Sequence, residues 1–176
     1  MFKSFLSKPR FYNLFQRILG SDNSRKKFVE SYIYPNNSHN VLDLGCGTAD
    51  ILNYLPKVNY TGIDASANYI KLAKQKFPSF GSFRCATFDE NTRLNGKYDL
   101  VIAIGFLHHL NKVTCEKLII NASKVLTPKG RLITFDPILY KGQNKFASWI
   151  IKQDRGKYIR DLRNYTSLFS KKKFSS

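Results

Sequence analysis

The sequence predicts an α/β fold, a doubly wound and mostly parallel sheet with helices on both faces. Three observations carry that expectation. Apolar runs of strand length alternate with helical patterns between residues 38 and 137. Most of those runs are apolar throughout, as strands covered on both faces must be. The first of them ends in "DLGCGTAD", whose two glycines let the backbone turn tightly and pass close to a ligand.

The elements follow in order. Phe11, Leu14, Phe15, Ile18 and Leu19 recur at helical spacing, "GSDNS" interrupts them, and Phe28, Val29 and Tyr32 resume, which predicts two N-terminal helices. "YPNNSHN" reads as a loop and "VLDL" as a buried strand. "TADILNYL" predicts a helix that Pro56 stops. "NYTGID" is a second strand, and "SANYIKLAKQKF" a helix opened by Ser66 as N-cap and closed before Pro78. "SFRCATF" is a third strand and "YDLVIAIGFL" a fourth, after the turn-like "NTRLNGK". "VTCEKLIINASKVL" is amphipathic through Val113, Leu118, Ile119, Ala122, Val125 and Leu126, with "TPKG" ending it and "GRLITFD" as a fifth strand. Residues 143–170 read as helical, and "SKKKFSS" as a frayed end. The expected organisation is one domain over 1–176. It comprises a helical cap at 1–37, a ligand-binding core at 38–137 and a helical segment at 138–176.

Bulk properties narrow the class. An apolar content of 43% with 14% aromatics excludes wholesale disorder. No apolar run approaches the roughly 20 residues that span a bilayer. The opening "MFKSFLSKPRFYNLFQ" has neither the apolar stretch nor the cleavage site of a secretory signal. Cys46, Cys85 and Cys115 are odd in number and widely spaced, which fits free thiols in a reducing cytoplasm and no metal site. The net charge of +17 is uneven: residues 1–30 contribute +5, residues 141–176 contribute +8, and the 110 between them only +4. A basic periphery suits an anionic partner, whether a phosphorylated substrate, a membrane surface or nucleic acid, and suits a merely solvated surface equally.

The turn itself chooses among nucleotides. A dinucleotide fingerprint requires a third glycine where Asp50 stands, beside a bound pyrophosphate that a carboxylate would repel. Asp43, closing the first strand, is equally out of place beside phosphate. Both acids suit a cationic ligand without phosphate, and S-adenosylmethionine, with its sulfonium and ammonium, is one. Asp64 closes the second strand 21 residues after Asp43, where a carboxylate can accept both ribose hydroxyls.

On these residues the sequence resembles the class I S-adenosylmethionine-dependent methyltransferases, in particular their small-molecule branch. "VLDLGCGTAD" resembles their first motif, "GIDAS" the ribose motif, "YDLVIAIGFLHHL" the fourth-strand motif and "ASKVLTPKGRLITFDP" the fifth-strand segment, together covering about residues 38–137. The resemblance implies that Asp43, Gly45, Cys46 and Gly47 hold the methionine end of S-adenosylmethionine and of its product S-adenosylhomocysteine. Asp64 and Ala65 would hold the ribose, and Ile104 would line the same cofactor. At the adenine the chain departs from the family pattern, with Thr87 and Phe88 where an acid and a small residue are common. Either Asp89 reaches the adenine amino group or the backbone N–H of Phe88 serves instead. Such sheets usually continue with two further strands that this chain lacks room for after "LFSKKKFSS". The expectation is therefore a core without them, its open edge covered by the terminal helix or by another subunit.

Methyl transfer needs alignment and exclusion of water, and a base only for a hydroxyl or protonated amine acceptor. His108 and His109, just past the fourth strand, are the catalytic candidates, with a structural or cofactor-packing role as the alternative. Tyr12 and Gln16, four apart on one helical face, could close over the cofactor. Arg155 and Arg160 could grip a carboxylate or phosphate of the acceptor, and ordinary helix surface accounts for both pairs as well. The expected partner is a small, optionally anionic acceptor. Nucleic acid is a weaker alternative, because "AIGF" stands where base-methylating enzymes carry Asn/Asp-Pro-Pro-Tyr/Phe. A cofactor-binding protein without turnover and a nicotinamide oxidoreductase are the remaining alternatives.

Overall fold

Val41, Leu42 and Leu44 are almost fully buried and, with Asp43, form strand β1 (Asn40–Leu44). In this computed structural model the described residues are 22–89, 91–143, 149 and 156–169. The chain divides into two compact units, Met1–Ala86 and Thr87–Ser176. Their boundary falls inside "SFRCATF", where the expected third strand ends early, at Cys85.

In the first unit, helix α1 (Asp22–Phe28) runs directly into a π-helical turn, Val29–Ile33, that buries Val29 and Ile33. The earlier of the two expected N-terminal helices lies outside the described residues. Strand β2 (Asn59–Asp64) pairs in parallel with β1, Asp43 opposite Gly62 and Leu44 opposite Ile63. Strand β3 (Gly81–Cys85) pairs in parallel with β2. Between them, helix α2 (Ala67–Lys76) begins where the Ser66 hydroxyl accepts the Tyr69 N–H, as expected of an N-cap, and buries Ile70 and Ala73.

The helix expected over "TADILNYL" is a single 3-10 turn, Asp50–Asn53. Ala49 adopts a left-handed φ of 57°, so helical backbone cannot begin before Asp50. Pro56 then disfavours helical backbone at Leu55, which confines any helix to the five residues Asp50–Tyr54, of which the first four are helical.

In the second unit, strand β4 (Tyr98–Ile104) is buried from Leu100 to Ala103 and pairs in parallel with β5 (Leu126–Phe135). Helix α3 (Lys112–Val125) connects them. It is capped by the Asn111 side chain and buries Cys115, Leu118, Ile119, Ala122 and Val125. Val113, expected on that stripe, is 52% exposed, because the helix turns its first residues to solvent. "TPKG" does not separate helix from strand. Leu126 already pairs with Tyr98, and the register then jumps so that Arg131 faces Leu100, which leaves "TPKG" bulged out within the strand.

After β5 the expected long helix is described in part. Helix α4 (Leu162–Ser167) is short, capped by the Asp161 carboxylate on the Asn164 N–H, and Tyr165 and Leu168 anchor it in the core. Residues 156–161 are a non-helical strap with a turn at Lys157–Tyr158, joined to the segment after β5 by an isolated Ile138–Arg160 bridge. Within the first unit the strand order is β3-β2-β1, and within the second β4 lies beside β5. These five are all the strands among the described residues, and the pairings within each unit are parallel, as the doubly wound expectation requires.

Candidate functional site

In the first unit the sequence-predicted residues gather at the carboxyl ends of β1 and β2. Gly45 (φ 74°) and Gly47 (φ 55°) both adopt left-handed backbone, which is why glycine occupies these positions. The N–H groups of Gly45 and Cys46 both donate to the Ile63 carbonyl, at 2.8 and 3.1 Å, so the turn stays stitched to β2. Asp64 completes it, accepting the Gly47 N–H at 2.9 Å on one oxygen and the Ser66 N–H at 2.7 Å on the other. A carboxylate offers about four lone-pair sites. Asp64 is thus oriented by two backbone donors and still able to accept two hydroxyls. Ala65, next to it, is exposed, and its carbonyl accepts the Cys85 thiol.

Asp43 is buried, and the Tyr60 hydroxyl donates to it at 2.6 Å. Burial raises its carboxyl to about 7, the Tyr60 bond pulls it down, and the Asp64 charge adds to the rise. Burial, then the same two carboxylates, push the Cys46 thiol far up, so it is an unreactive thiol. Neither Asp43 nor Asp64 forms an ion pair among the described residues. Open space lies where a side chain on Gly47 would stand, with no heavy atom within 4 Å. Two carboxylates without a cationic partner among the described residues, beside the glycine turn, fit a cationic ligand such as S-adenosylmethionine.

Asp50 behaves otherwise. Its carboxylate pairs with Lys76 from the end of α2, a partner that strand-by-strand reading did not suggest. Its charge is therefore met within the chain, which leaves Asp43 as the acid that disfavours a pyrophosphate. Tyr60 was missed for a similar reason. It reads as an apolar strand residue, and only the parallel register of β1 and β2 brings its hydroxyl to Asp43.

In the second unit, Phe88 packs edge-on against Phe106, 4.9 Å between ring centres. The Asp89 carboxylate folds back onto its own turn, accepting from the Asn91 N–H at 2.8 Å and the Thr92 hydroxyl at 3.1 Å. Ile104 ends β4 half-buried, and Gly105 follows with its N–H on the Phe135 carbonyl.

The two histidines have different surroundings. His108 is 2% exposed, its Nδ1 lies 2.7 Å from Asp136 Oδ1, and the same oxygen accepts its backbone N–H at 3.1 Å. Gly156 lies against the imidazole so closely that a Cβ there would stand 2.0 Å from His108 Cδ2. The Tyr158 N–H donates to the His108 carbonyl at 2.9 Å. His109 is exposed, with its ring 4.1 Å from that of His108. Asp136 was visible in "GRLITFDP", but nothing in the sequence paired it with His108.

Arg160 was expected to grip an acceptor. Its guanidinium instead donates to three main-chain carbonyls, those of Leu107 (3.0 Å), Tyr158 (3.0 Å) and Leu110 (2.7 Å), and stacks over Tyr165. It clasps the turn after β4, sharing the Leu107 carbonyl with the Leu110 N–H and the Cys115 thiol, and the Leu110 carbonyl with the same thiol. Tyr12, Gln16 and Arg155 lie outside the described residues. Among the described residues no cluster of three His, Cys, Asp or Glu side chains could hold a metal, and no helix is long and apolar enough to cross a membrane.

Comparison with known proteins bears on the family and the fold. The family described as "Methyltransferase domain" matches residues 42–132. The 235L protein of Invertebrate iridescent virus 6, named as a methyltransferase, is 25% identical over 150 residues, covering 83% of this chain and 54% of its own length. The non-reducing polyketide synthase ausA of Emericella nidulans is 30% identical over 105 residues, 52% of this chain and 4% of the synthase. The chain thus spans about half the viral relative and a small part of the synthase. Mitomycin 7-O-methyltransferase MmcR superposes with a TM-score of 0.69 at 15% identity, over 92% of this chain and 51% of its own, a likeness of fold.

Proposed function

The chain belongs to the methyltransferase domain family, with S-adenosylmethionine as its cofactor, and on that premise we propose that it methylates a small-molecule acceptor at oxygen, nitrogen or carbon. The observation that carries this reading is the pair of carboxylates, Asp43 and Asp64, beside the Gly45–Gly47 turn, neither in an ion pair among the described residues. Bound there, the cofactor supplies a methyl group already activated by its sulfonium.

The chain's own part is to bind, orient and keep water out. Asp43 faces the cationic methionine end and Asp64 the ribose hydroxyls, held in place by the Gly47 and Ser66 N–H groups. For the adenine, both bonds to the Asp89 carboxylate fall on Oδ1, so its Oδ2 and the Phe88 N–H remain the two candidates. His108, enclosed by Asp136 and Gly156, shapes the turn after β4. His109, exposed on that turn, is the imidazole able to take a proton from a hydroxyl or ammonium acceptor.

Calorimetry with S-adenosylmethionine and S-adenosylhomocysteine tests the binding half. Saturable heat is expected, weakened at least tenfold in Asp64→Ala, and a folded protein that gives no heat at millimolar ligand would refute it. Transfer of labelled methyl to a panel of hydroxylated, amine and aromatic acceptors tests turnover. In that assay His109→Gln should lower kcat for hydroxyl acceptors and leave cofactor affinity alone.

A further inference from the structure

The segment after β5 and the strap before α4 line an open, shallow groove of about 700 Å3. Leu139, Ile159 and Leu162 give it an apolar lining, and Tyr140 stands over it 61% exposed. Lys141 and Arg163 supply its charge, and neither forms an ion pair among the described residues. The one acid in the lining, Asp161, already accepts the Asn164 N–H as the cap of α4. Arg160 contributes the wall, with its guanidinium turned to the Leu107 and Leu110 carbonyls.

We infer that this groove binds an amphiphilic small anion, an aromatic or alkyl body bearing a carboxylate or phosphate, and that this is the acceptor class. Lys141 and Arg163 select the anionic head, and the apolar lining with Tyr140 takes the body. The wall of the groove is hydrogen-bonded to the turn that carries His109, so an occupant lies against the same rigid piece of chain as the candidate base. The inference rests on the methyltransferase reading for the word acceptor, and its binding claim can be tested apart from it.

Calorimetry of the full chain with 1-naphthyl phosphate and 2-naphthoate, against 2-naphthol and inorganic phosphate, reads the claim directly. The two amphiphilic anions are expected to bind about tenfold or more tightly than either the neutral body or the bare anion. The double variant Lys141→Gln/Arg163→Gln should lose that preference while its S-adenosylmethionine heat stays unchanged. Equal binding of 2-naphthol, or a double variant that keeps the preference, would overturn the inference. So would binding to phosphatidylglycerol vesicles without binding of the soluble anions, which would make the basic rim a membrane contact. Normal cofactor heat with no anion binding would defeat the groove alone. Anion binding without cofactor heat would defeat the methyltransferase reading alone.

Discussion

Asp43 joins two opposing pH effects in one side chain. Burial lifts its carboxyl to about 7 in the folded protein, against 3.8 for an unburied aspartate. Its folded value is raised, so its contribution to stability is complete below the unfolded value and is lost as pH rises through 7. The ligand-free protein should therefore lose stability between about pH 4 and 7, and Asp43→Asn should remove that dependence in urea titrations at several pH values. Cofactor binding runs the other way, because a cationic ligand favours the ionised carboxylate. Affinity for S-adenosylmethionine should rise with pH, by up to about tenfold per unit below 7, and level off above it. Asp43→Asn should bind weakly and with a flat profile. Tyr60→Phe, which removes the hydroxyl that pulls the carboxyl down, should shift the rise to higher pH. Calorimetry across pH 5.5–8.5 checks all three, and a wild-type affinity independent of pH would contradict the assignment.

At the scale of elements, the strap over residues 156–160 and the turn after β4 stabilise one another. Arg160 satisfies three carbonyls at once, so Arg160→Ala should cost roughly 2–4 kcal/mol of unfolding free energy. Arg160→Lys should recover only part, because an ammonium cannot reproduce the planar fork. Gly156→Ala tests the other side of the contact. Its added methyl meets the His108 ring, and the loss should be about 1–3 kcal/mol in the same denaturant titration. Little of this was legible beforehand. The strands and α2 were, because apolar runs and an N-cap serine are local signals. The strap was not. Residues 156–161 sit in a stretch with helical spacing, and helical backbone there is outweighed by hydrogen bonds to a turn some fifty residues earlier. The 3-10 turn at Asp50–Asn53 was misread for the opposite reason, since a left-handed alanine between glycine turn and helix leaves no compositional mark. For the candidate site, sequence order sufficed for Asp43, Gly45, Gly47 and Asp64. The partners Tyr60, Lys76 and Asp136 became visible only through strand register and packing.

For the molecule as a whole, the question is what a net charge of +17 does. The excess lies toward the two ends of the chain, while the central 110 residues that hold the glycine turn and both carboxylates carry +4. Lysines and arginines in such excess attract any polyanion, and the attraction falls steeply with salt because it works by counterion release. Asp43 is 4% exposed and lies beyond the reach of mobile ions, so salt screens its attraction for a bound cation much less. The two interactions should therefore separate in one titration. Retention of the protein on RNA or duplex DNA at 50 mM salt should vanish by about 0.3 M, with a linear fall of log affinity against log salt. The calorimetric affinity for S-adenosylmethionine should change only a few-fold over the same range. Nucleic-acid binding that survives 0.3 M salt would mean that the basic ends read more than phosphate, and would move the acceptor from small molecules to nucleic acid. A cofactor affinity that collapsed in parallel would place the binding carboxylates at the exposed surface, contrary to the buried position of Asp43.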